Sequence, residues 1–372
     1  MKRIYTYLLT TLALVAALTS CKVHEWPEPY KPVQINLSLV FDTAMPLYKV
    51  IPSTGRASTS IDDYDVRYQI QAWLLDENGK YNTEHDPAYT FTFTRDNVLE
   101  LEQTLPLAID HPGNYRLIGW VDYVNRETDY DKFYITDRFL TIKLQGEENT
   151  PHVGSNDFRD AFWGRIDVTI PKLETATDHS IDITLPMERP LAKFNFITTD
   201  LDQFVTRVLE MRAEAARAEA IRQAESEGRS ITEEELADIE PETRVDLNDF
   251  RVVFMYTSHM PNIFNAHDNK PIYAVQGVTF ESKMKSIGNN QAELGFDYVF
   301  VNGVESSVDV RLAVYDKDGT LITATSEKGE RVEITRSKLT TMIGEYLTAT
   351  ADGGVGIDPG FDGEDHNWIV KD

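Results

Sequence analysis

Residues 33–41 read Val33-Gln34-Ile35-Asn36-Leu37-Ser38-Leu39-Val40-Phe41, with an apolar side chain at every odd position. Successive side chains of a β-strand point to opposite faces, so this alternation predicts a strand with one buried face. The inward residues of the predicted strand are those at the odd positions: Val33, Ile35, Leu37, Leu39 and Phe41. The first periodic segment of the chain therefore points to β structure.

Short strands of the same kind continue along the chain. Before residue 190 the patterns predict strands at 66–75, 89–94, 98–105, 115–123, 139–144, 165–170 and 180–185. After it they predict strands at 191–197, 250–256, 277–281, 297–301, 308–315, 320–325, 331–335 and 346–350. Gly, Pro, Asn and Asp separate these strands, which favours β-sandwiches over alternating strands and helices. The chain is therefore predicted to be mainly β, with one sandwich domain at 33–190 and a second at 191–372.

A polar turn of similar sequence occurs once in each predicted domain. Residues 72–80 and 313–321 both place an apolar strand before an acidic turn, whose Gly79 or Gly319 suits a positive φ. This similarity predicts that the two domains are related. A calcium loop at Asp316 and Asp318 is an alternative, but the glycine and glutamate spacing of an EF-hand is missing.

A helical insertion at about 200–240 interrupts the second domain. Asp200 and Gln203 have the spacing of a capping box, and apolar side chains follow at helical intervals. Ser230 and Glu233 predict a second short helix that Pro241 ends. One interpretation is a docking helix for another subunit. The other, favoured by the Ala, Glu and Arg of the later turns, is a surface helix attached to the sandwich by its first two turns.

The N-terminus has the pattern of a bacterial lipoprotein. Lys2 and Arg3 precede an uncharged run at 4–20, and Cys21, the single cysteine of the chain, follows it directly. This pattern predicts a signal peptide at 1–20, lipid attachment at Cys21, and a proline-rich tether at 21–32. A transmembrane anchor is the alternative, but the run of about 17 residues is at the bottom of the spanning range.

Composition excludes several functions. The chain has 36 Lys and Arg against 61 Asp and Glu, a formal net charge of -25, which disfavours nucleic acid as a partner. The sequence lacks the G-x-S-x-G, H-E-x-x-H and phosphate-loop motifs, and its eight histidines are scattered singly. We therefore expect no enzyme activity, no metal and no cofactor.

Several short segments resemble one family. They are the strand at 115–123, the junction Met187-Glu188-Arg189-Pro190-Leu191-Ala192-Lys193-Phe194 and the late stretch Gly344-Glu345-Tyr346-Leu347-Thr348. Together with the lipidated cysteine they are similar to the fimbrillin-related lipoproteins of Bacteroidales, the stalk, anchor and tip subunits of outer-membrane pili. The resemblance implies two transthyretin-like sandwiches, a structural or adhesive role at the cell surface, and other fimbrial subunits or host and bacterial receptors as partners.

The resemblance also implies a mechanism of assembly. In polymerising members a protease cuts after an arginine in the loop that follows the first strand, and a strand from a neighbouring subunit replaces it. Here that arginine would be Arg56, and the displaced strand would be residues 33–41. The donor would be the C-terminal tail with Trp368, Ile369 and Val370, although the tail is equally suited to be the chain's own last strand. An anchor subunit that keeps its first strand fits the same sequence.

A second function remains open from the sequence. Surface glycan-binding lipoproteins that accompany outer-membrane nutrient importers also combine a lipid tether with β-sandwiches. Such proteins stack sugar rings on exposed aromatic side chains. Trp26, Trp163 and Trp368 are candidates for that contact, but each stands alone and each is equally suited to core or tether packing.

Overall fold

The structure is a computed structural model. It describes residues 32–45, 64–96, 100, 102–127, 131–136, 139–144, 152–172, 180–239 and 242–348, and the backbone of 367–370. Within these residues the strands are β1 (Val33–Phe41), β2 (Tyr64–Leu74), β3 (Tyr89–Asp96), β4 (Glu102–Ile109), β5 (Gly113–Asn125), β6 (Tyr134–Ile135), β7 (Ile142–Leu144), β8 (Phe162–Ile170), β9 (Ser180–Met187), β10 (Leu191–Thr198), β11 (Arg251–Tyr256), β12 (Met260–Asn265), β13 (Lys270–Val275), β14 (Thr279–Ser282), β15 (Lys285–Gly288), β16 (Gln291–Phe300), β17 (Glu305–Tyr315), β18 (Leu321–Ala324), β19 (Glu330–Thr335), β20 (Leu339–Gly344) and β21 (Asn367–Val370). The helices are α1 (Leu201–Ser226) and α2 (Glu233–Ala237). The expectation of a mainly β chain is confirmed.

Two sheets build the N-terminal half, residues 33–188. In the first sheet β1 is the central strand, antiparallel to β4 on one side and parallel to β9 on the other. The second sheet has the order β3-β2-β5-β8. The inward residues of both sheets form the core of this half, as the alternation of apolar side chains predicts.

The C-terminal half, residues 191–370, repeats this strand order. Its first strand, β10, is antiparallel to β16 and parallel to the late strand β20, as β1 is to β4 and β9. The opposite sheet runs β14-β11-β17, and both β18 and β19 pair with β17. In each half, therefore, the first strand lies between an antiparallel neighbour and a parallel late strand.

A further sheet joins the two halves, and the sequence analysis did not predict it. Its order is β13-β12-β7-β6, so that strands of the C-terminal half pair with strands of the N-terminal half. Beside it, the ring of Trp120 lies 5.3 Å from that of Tyr134 and 6.1 Å from that of Phe264. The cores of the two halves are therefore continuous at this place.

The repeated turns adopt the same conformation. Asp76 Oδ1 accepts hydrogen bonds from the backbone N–H groups of Asn78 and Lys80, each at 2.8 Å. Asp316 Oδ1 accepts the corresponding bonds from Asp318 at 3.0 Å and Thr320 at 2.8 Å. The glycines that follow have φ of +72° and +83°. The turn at Asp316 joins β17 directly to β18 and confirms the predicted hairpin, whereas the turn at Asp76 lies in a longer connection between β2 and β3. Among the described residues no group of His, Cys, Asp and Glu side chains is placed to hold a metal ion.

Helix α1 is attached to the C-terminal half by its first two turns. Leu201, Phe204 and Val208 are buried, and apart from Ala224 no later side chain of this helix is. The predicted attachment of α1 by its first two turns is therefore confirmed. In the described part of the chain, no helix is long and apolar enough to cross a membrane.

The start of α1 differs from the prediction. Asp200 makes no side-chain hydrogen bond to the helix N-terminus. Its buried carboxylate instead accepts the backbone N–H groups of Leu347 at 3.1 Å and Thr348 at 2.7 Å. These bonds hold the chain after β20 in an irregular conformation, so the strand expected at 346–350 is wrong over its described residues.

The second helix also begins later than expected. Thr232, and not Ser230, caps α2, because the Thr232 hydroxyl accepts the N–H of Glu235 while the Glu235 carboxylate accepts the N–H of Thr232. The capping box therefore exists two residues after its predicted position.

Candidate strand-exchange site

The first strand has the burial that its sequence predicts. The exposed fractions of Val33, Ile35, Leu37, Leu39 and Phe41 are 2%, 1%, 0%, 0% and 4%. The residues between them face outward, and Val40 is 38% exposed. All five inward side chains are thus part of the core of the N-terminal half.

The backbone of β1 is paired along both edges. Eight residue pairs join it to β4, from Val33 opposite Ile109 to Val40 opposite Glu102. Eight more join it in parallel to β9, from Gln34 opposite Ser180 to Phe41 opposite Met187. A vacancy left by β1 would therefore expose two unpaired strand edges as well as the apolar floor beneath them.

The cost of that vacancy decides how β1 can leave. Burial of one large apolar side chain is worth about 1.5–3 kcal/mol, so the inward face of β1 contributes roughly 10 kcal/mol. This is comparable to the whole stability of a typical domain, about 5–15 kcal/mol. Loss of β1 would therefore cost most of the stability of this half, unless a replacement strand with a similar apolar face takes its place.

The C-terminal strand β21 lies at the far edge of the sheet that contains β10. It pairs in parallel with β20, from Asn367 opposite Thr340 to Val370 opposite Ile343. Strand β21 is four residues long, whereas β1 is nine residues long. As a donor, the described part of the tail would span less than half the length of β1.

The predicted site residues are only partly visible. Cys21, Trp26 and Arg56 lie outside the described residues, and the strand that contains Trp368 is described by its backbone alone. Trp163 is 6% exposed, and its indole N–H donates to the carbonyl oxygen of Ala266 at 2.8 Å. Trp163 is therefore a core residue and presents no surface for sugar stacking.

A buried ionic network between the halves escaped the sequence analysis. Asp297 on β16 is fully buried, and one of its carboxylate oxygens accepts the Tyr256 hydroxyl at 2.6 Å and lies 2.7 Å from Nε2 of His152. The Arg159 guanidinium of the N-terminal half donates to the other carboxylate oxygen. These four side chains join the halves through buried hydrogen bonds and the ion pair between Arg159 and Asp297.

Burial and pairing act against each other on the pKa values of this network. Burial raises the pKa of Asp297, but Arg159 and His152 outweigh burial and hold it below its usual value. Burial, and then the charge of Arg159, lower the pKa of His152, so the imidazole is neutral at pH 7.

Single Arg, His and Asp residues on unrelated segments have no sequence pattern by which their convergence could be recognised.

One family model matches almost the whole chain. It is described as a family of unknown function, DUF6562, and it matches residues 28–371. No curated protein matches the chain.

Several solved structures resemble the chain at low identity. One from Bacteroides thetaiotaomicron, provisionally described as polysaccharide binding proteins, has a TM-score of 0.40 and 12% identity over 78% of this chain and 79% of that chain. The fimbrial anchor protein of Porphyromonas gingivalis has a TM-score of 0.35 and 10% identity over 79% and 83%. A fimbrial assembly protein of Parabacteroides distasonis has a TM-score of 0.33 and 10% identity over 87% and 94%. The matched structures thus include proteins of the kind that the sequence resemblance names.

Proposed function

For a chain that belongs to the family of unknown function DUF6562, we propose the role of a lipid-anchored structural and adhesive protein of the cell surface. It acts as a fimbrial subunit or anchor that joins its neighbours by strand addition. Its finer architecture is a tandem of two transthyretin-like sandwiches. The repeated strand order around β1 and β10 supports that architecture.

The position of β1 carries the proposal. It is a central strand, yet its partners β4 and β9 both come from later segments, and its continuation passes through residues 46–63. One break in the chain between Met45 and Tyr64 would leave β1 attached by noncovalent contacts alone. A central strand that is held only in this way is the element that strand addition requires.

Because burial of β1 stabilises the N-terminal half, the proposed function can take two forms. A processed subunit needs a donor strand with apolar side chains at five alternating positions, because anything shorter leaves part of the core uncovered. An anchor or tip subunit keeps β1 and receives no donor in this groove. The lipid on Cys21 would fix either form to the outer membrane before assembly.

Processing is tested at Arg56 in cells that make the filaments. We expect the wild-type protein in detergent-resistant filaments to begin at Ala57, and the Arg56→Ala protein to be missing from them. Arg95→Ala is the matched control, since Arg95 is an exposed arginine on the edge strand β3. Wild-type filament yield from Arg56→Ala would exclude cleavage at this loop and leave the uncleaved anchor or tip form.

The fimbrial role itself is tested by association. Filaments purified from wild-type cells should contain the protein, and cells that lack it should shed or shorten their filaments. If the protein never copurifies with filaments but is retarded by polysaccharides in affinity electrophoresis, the fimbrial role is refuted and the glycan-binding alternative replaces it.

A further inference from the structure

One arginine joins the exit of β1 to the end of β9. Arg189 is fully buried and follows β9 by two residues. Its Nε and Nη2 donate to the Asp160 carboxylate at 2.8 and 2.9 Å. Its Nη1 donates to the backbone carbonyl oxygen of Met45 at 2.8 Å and approaches that of Asp42 at 3.3 Å. The guanidinium thus grips the chain immediately after β1.

Aromatic packing fixes the same place. The Arg189 guanidinium carbon lies 4.5 Å from the ring centre of Phe162, and that ring meets Phe41, the last residue of β1, edge to face at 4.9 Å. The Asp42 N–H also donates to the Met187 carbonyl oxygen at 2.8 Å. A buried guanidinium that is paired, stacked and bound to backbone carbonyls is held in one position.

We propose that Arg189, positioned by Asp160, is a latch that controls the release of β1. The inference rests on the proposed function, because it concerns the strand that is exchanged there. Residues 42–45 remain gripped after a cut at Arg56, since the cut lies beyond the gripped segment. Cleavage and strand release are therefore separate steps, and the second one requires the guanidinium to give up its backbone acceptors.

The C-terminal half has a corresponding contact at the exit of its first strand, but the side chain there is an aspartate and not an arginine. There the exit of β10 is also tied to the end of its parallel neighbour β20, with Thr199 N–H donating to the Gly344 carbonyl oxygen at 3.0 Å. The side chain that closes this tie is Asp200, whose carboxylate accepts the N–H of Thr348 and its hydroxyl at 2.7 and 2.6 Å. No guanidinium is among the contacts described for Asp200. Loss of the Asp160 charge should therefore loosen β1 and leave β10 unchanged.

Hydrogen exchange of the full chain tests the latch directly. We expect Asp160→Asn to speed amide exchange in residues 33–45 at least tenfold relative to β10 of the same protein. Asp122→Asn is the matched control, because Asp122 forms a buried ion pair with Arg67 and both residues lie in the other sheet of the same half, on β5 and β2. An unchanged ratio in Asp160→Asn, or an equal rise in Asp122→Asn, would overturn the latch.

A second variant keeps the test decisive if Asp160→Asn fails to fold. Replacing both partners, Arg189→Met with Asp160→Leu, removes the two buried charges together and avoids an unpaired one. The double variant should show the same selective exchange in β1 at an unchanged far-ultraviolet circular dichroism spectrum. Full protection of β1 in this folded protein would refute the proposal.

The failure of the latch is distinguishable from the failure of the proposed function. A labelled peptide of residues 33–41 added to the protein cleaved between residues 45 and 64 should replace β1 faster in Asp160→Asn than in Asp122→Asn. If exchange in β1 rises but the peptide never enters, the latch holds and strand addition is refuted. If the peptide enters all variants at one rate, the latch is refuted and strand addition stands.

Discussion

Replacing Leu37 by alanine should cost about 3–5 kcal/mol of the free energy of unfolding. Leu37 is the middle inward residue of β1, its side chain is 0% exposed, and both neighbouring strands hold its backbone in place. The cavity cannot collapse in such a framework, so the cost should lie in the upper part of the range for buried leucine, about 2–5 kcal/mol. The lost energy comes directly from the face that a donor strand would have to supply.

Urea unfolding followed by the fluorescence of the buried tryptophans measures this cost. Val40→Ala is the matched control, because Val40 lies on the same strand, faces outward and is 38% exposed. It should cost less than about 1 kcal/mol, as most surface changes do. A Leu37→Ala midpoint no lower than that of Val40→Ala would refute the conclusion that the inward face of β1 holds the strand.

Four further predictions follow from the structure and the sequence. The pKa of His152 is lower in the folded protein than in the unfolded chain, so the contribution of His152 to stability is complete above pH 6.5. Below pH 6.5 the free energy of unfolding should fall by up to about 1.4 kcal/mol per pH unit, because the unfolded chain takes up the proton more readily. In chemical unfolding, the free energy of unfolding of His152→Gln should therefore change less between pH 7 and pH 5 than that of the wild type. Cys21→Ala should abolish labelling by palmitate in cells and leave circular dichroism unchanged, and palmitate on the variant would contradict a single lipid site. Truncation after Gly360 uncovers the edge of β20 and should lower the thermal midpoint; filament loss at an unchanged midpoint would instead identify the tail as a donor. The segments 33–190 and 191–372, made separately and then mixed, should elute as one complex in gel filtration, because both contribute strands to the shared sheet. Two folded segments that elute separately would show that the shared sheet is not needed for either half to fold.

Local patterns predicted the elements whose residues decide their own conformation. The period of two predicted β1 at 33–41, and the Asp-to-Gly spacing predicted the turns at 76 and 316, because each signal lies within a few residues. Helix α1 was likewise recognised from its apolar spacing. In all of these the signal lies within a short stretch of sequence, although β1 itself pairs with strands far along the chain.

The missed features depend on residues far apart in the chain. Asp200 looks like a helix cap from its neighbours, but it bonds to the backbone of Thr348 because burial offers it unpaired N–H groups there. Arg159 and Asp297 look like surface charges, although they meet inside the protein. Strand β12 pairs with β7 of the other half, a partner that the residues around β12 do not specify. No local pattern encodes such pairings.

The junction between the halves directly follows the arginine of the proposed latch. Arg189 grips the exit of β1, and the very next residue, Pro190, accepts the Val301 N–H of the C-terminal half at 3.1 Å through its carbonyl oxygen. The residue after that, Leu191, starts β10 and accepts the Ser337 N–H at 2.8 Å. A pull that separates the halves acts on Pro190 and Leu191, which are joined covalently to Arg189, the residue that holds the exit of β1. If the protein assembles as proposed, force along a filament would therefore reach Arg189 through covalent bonds.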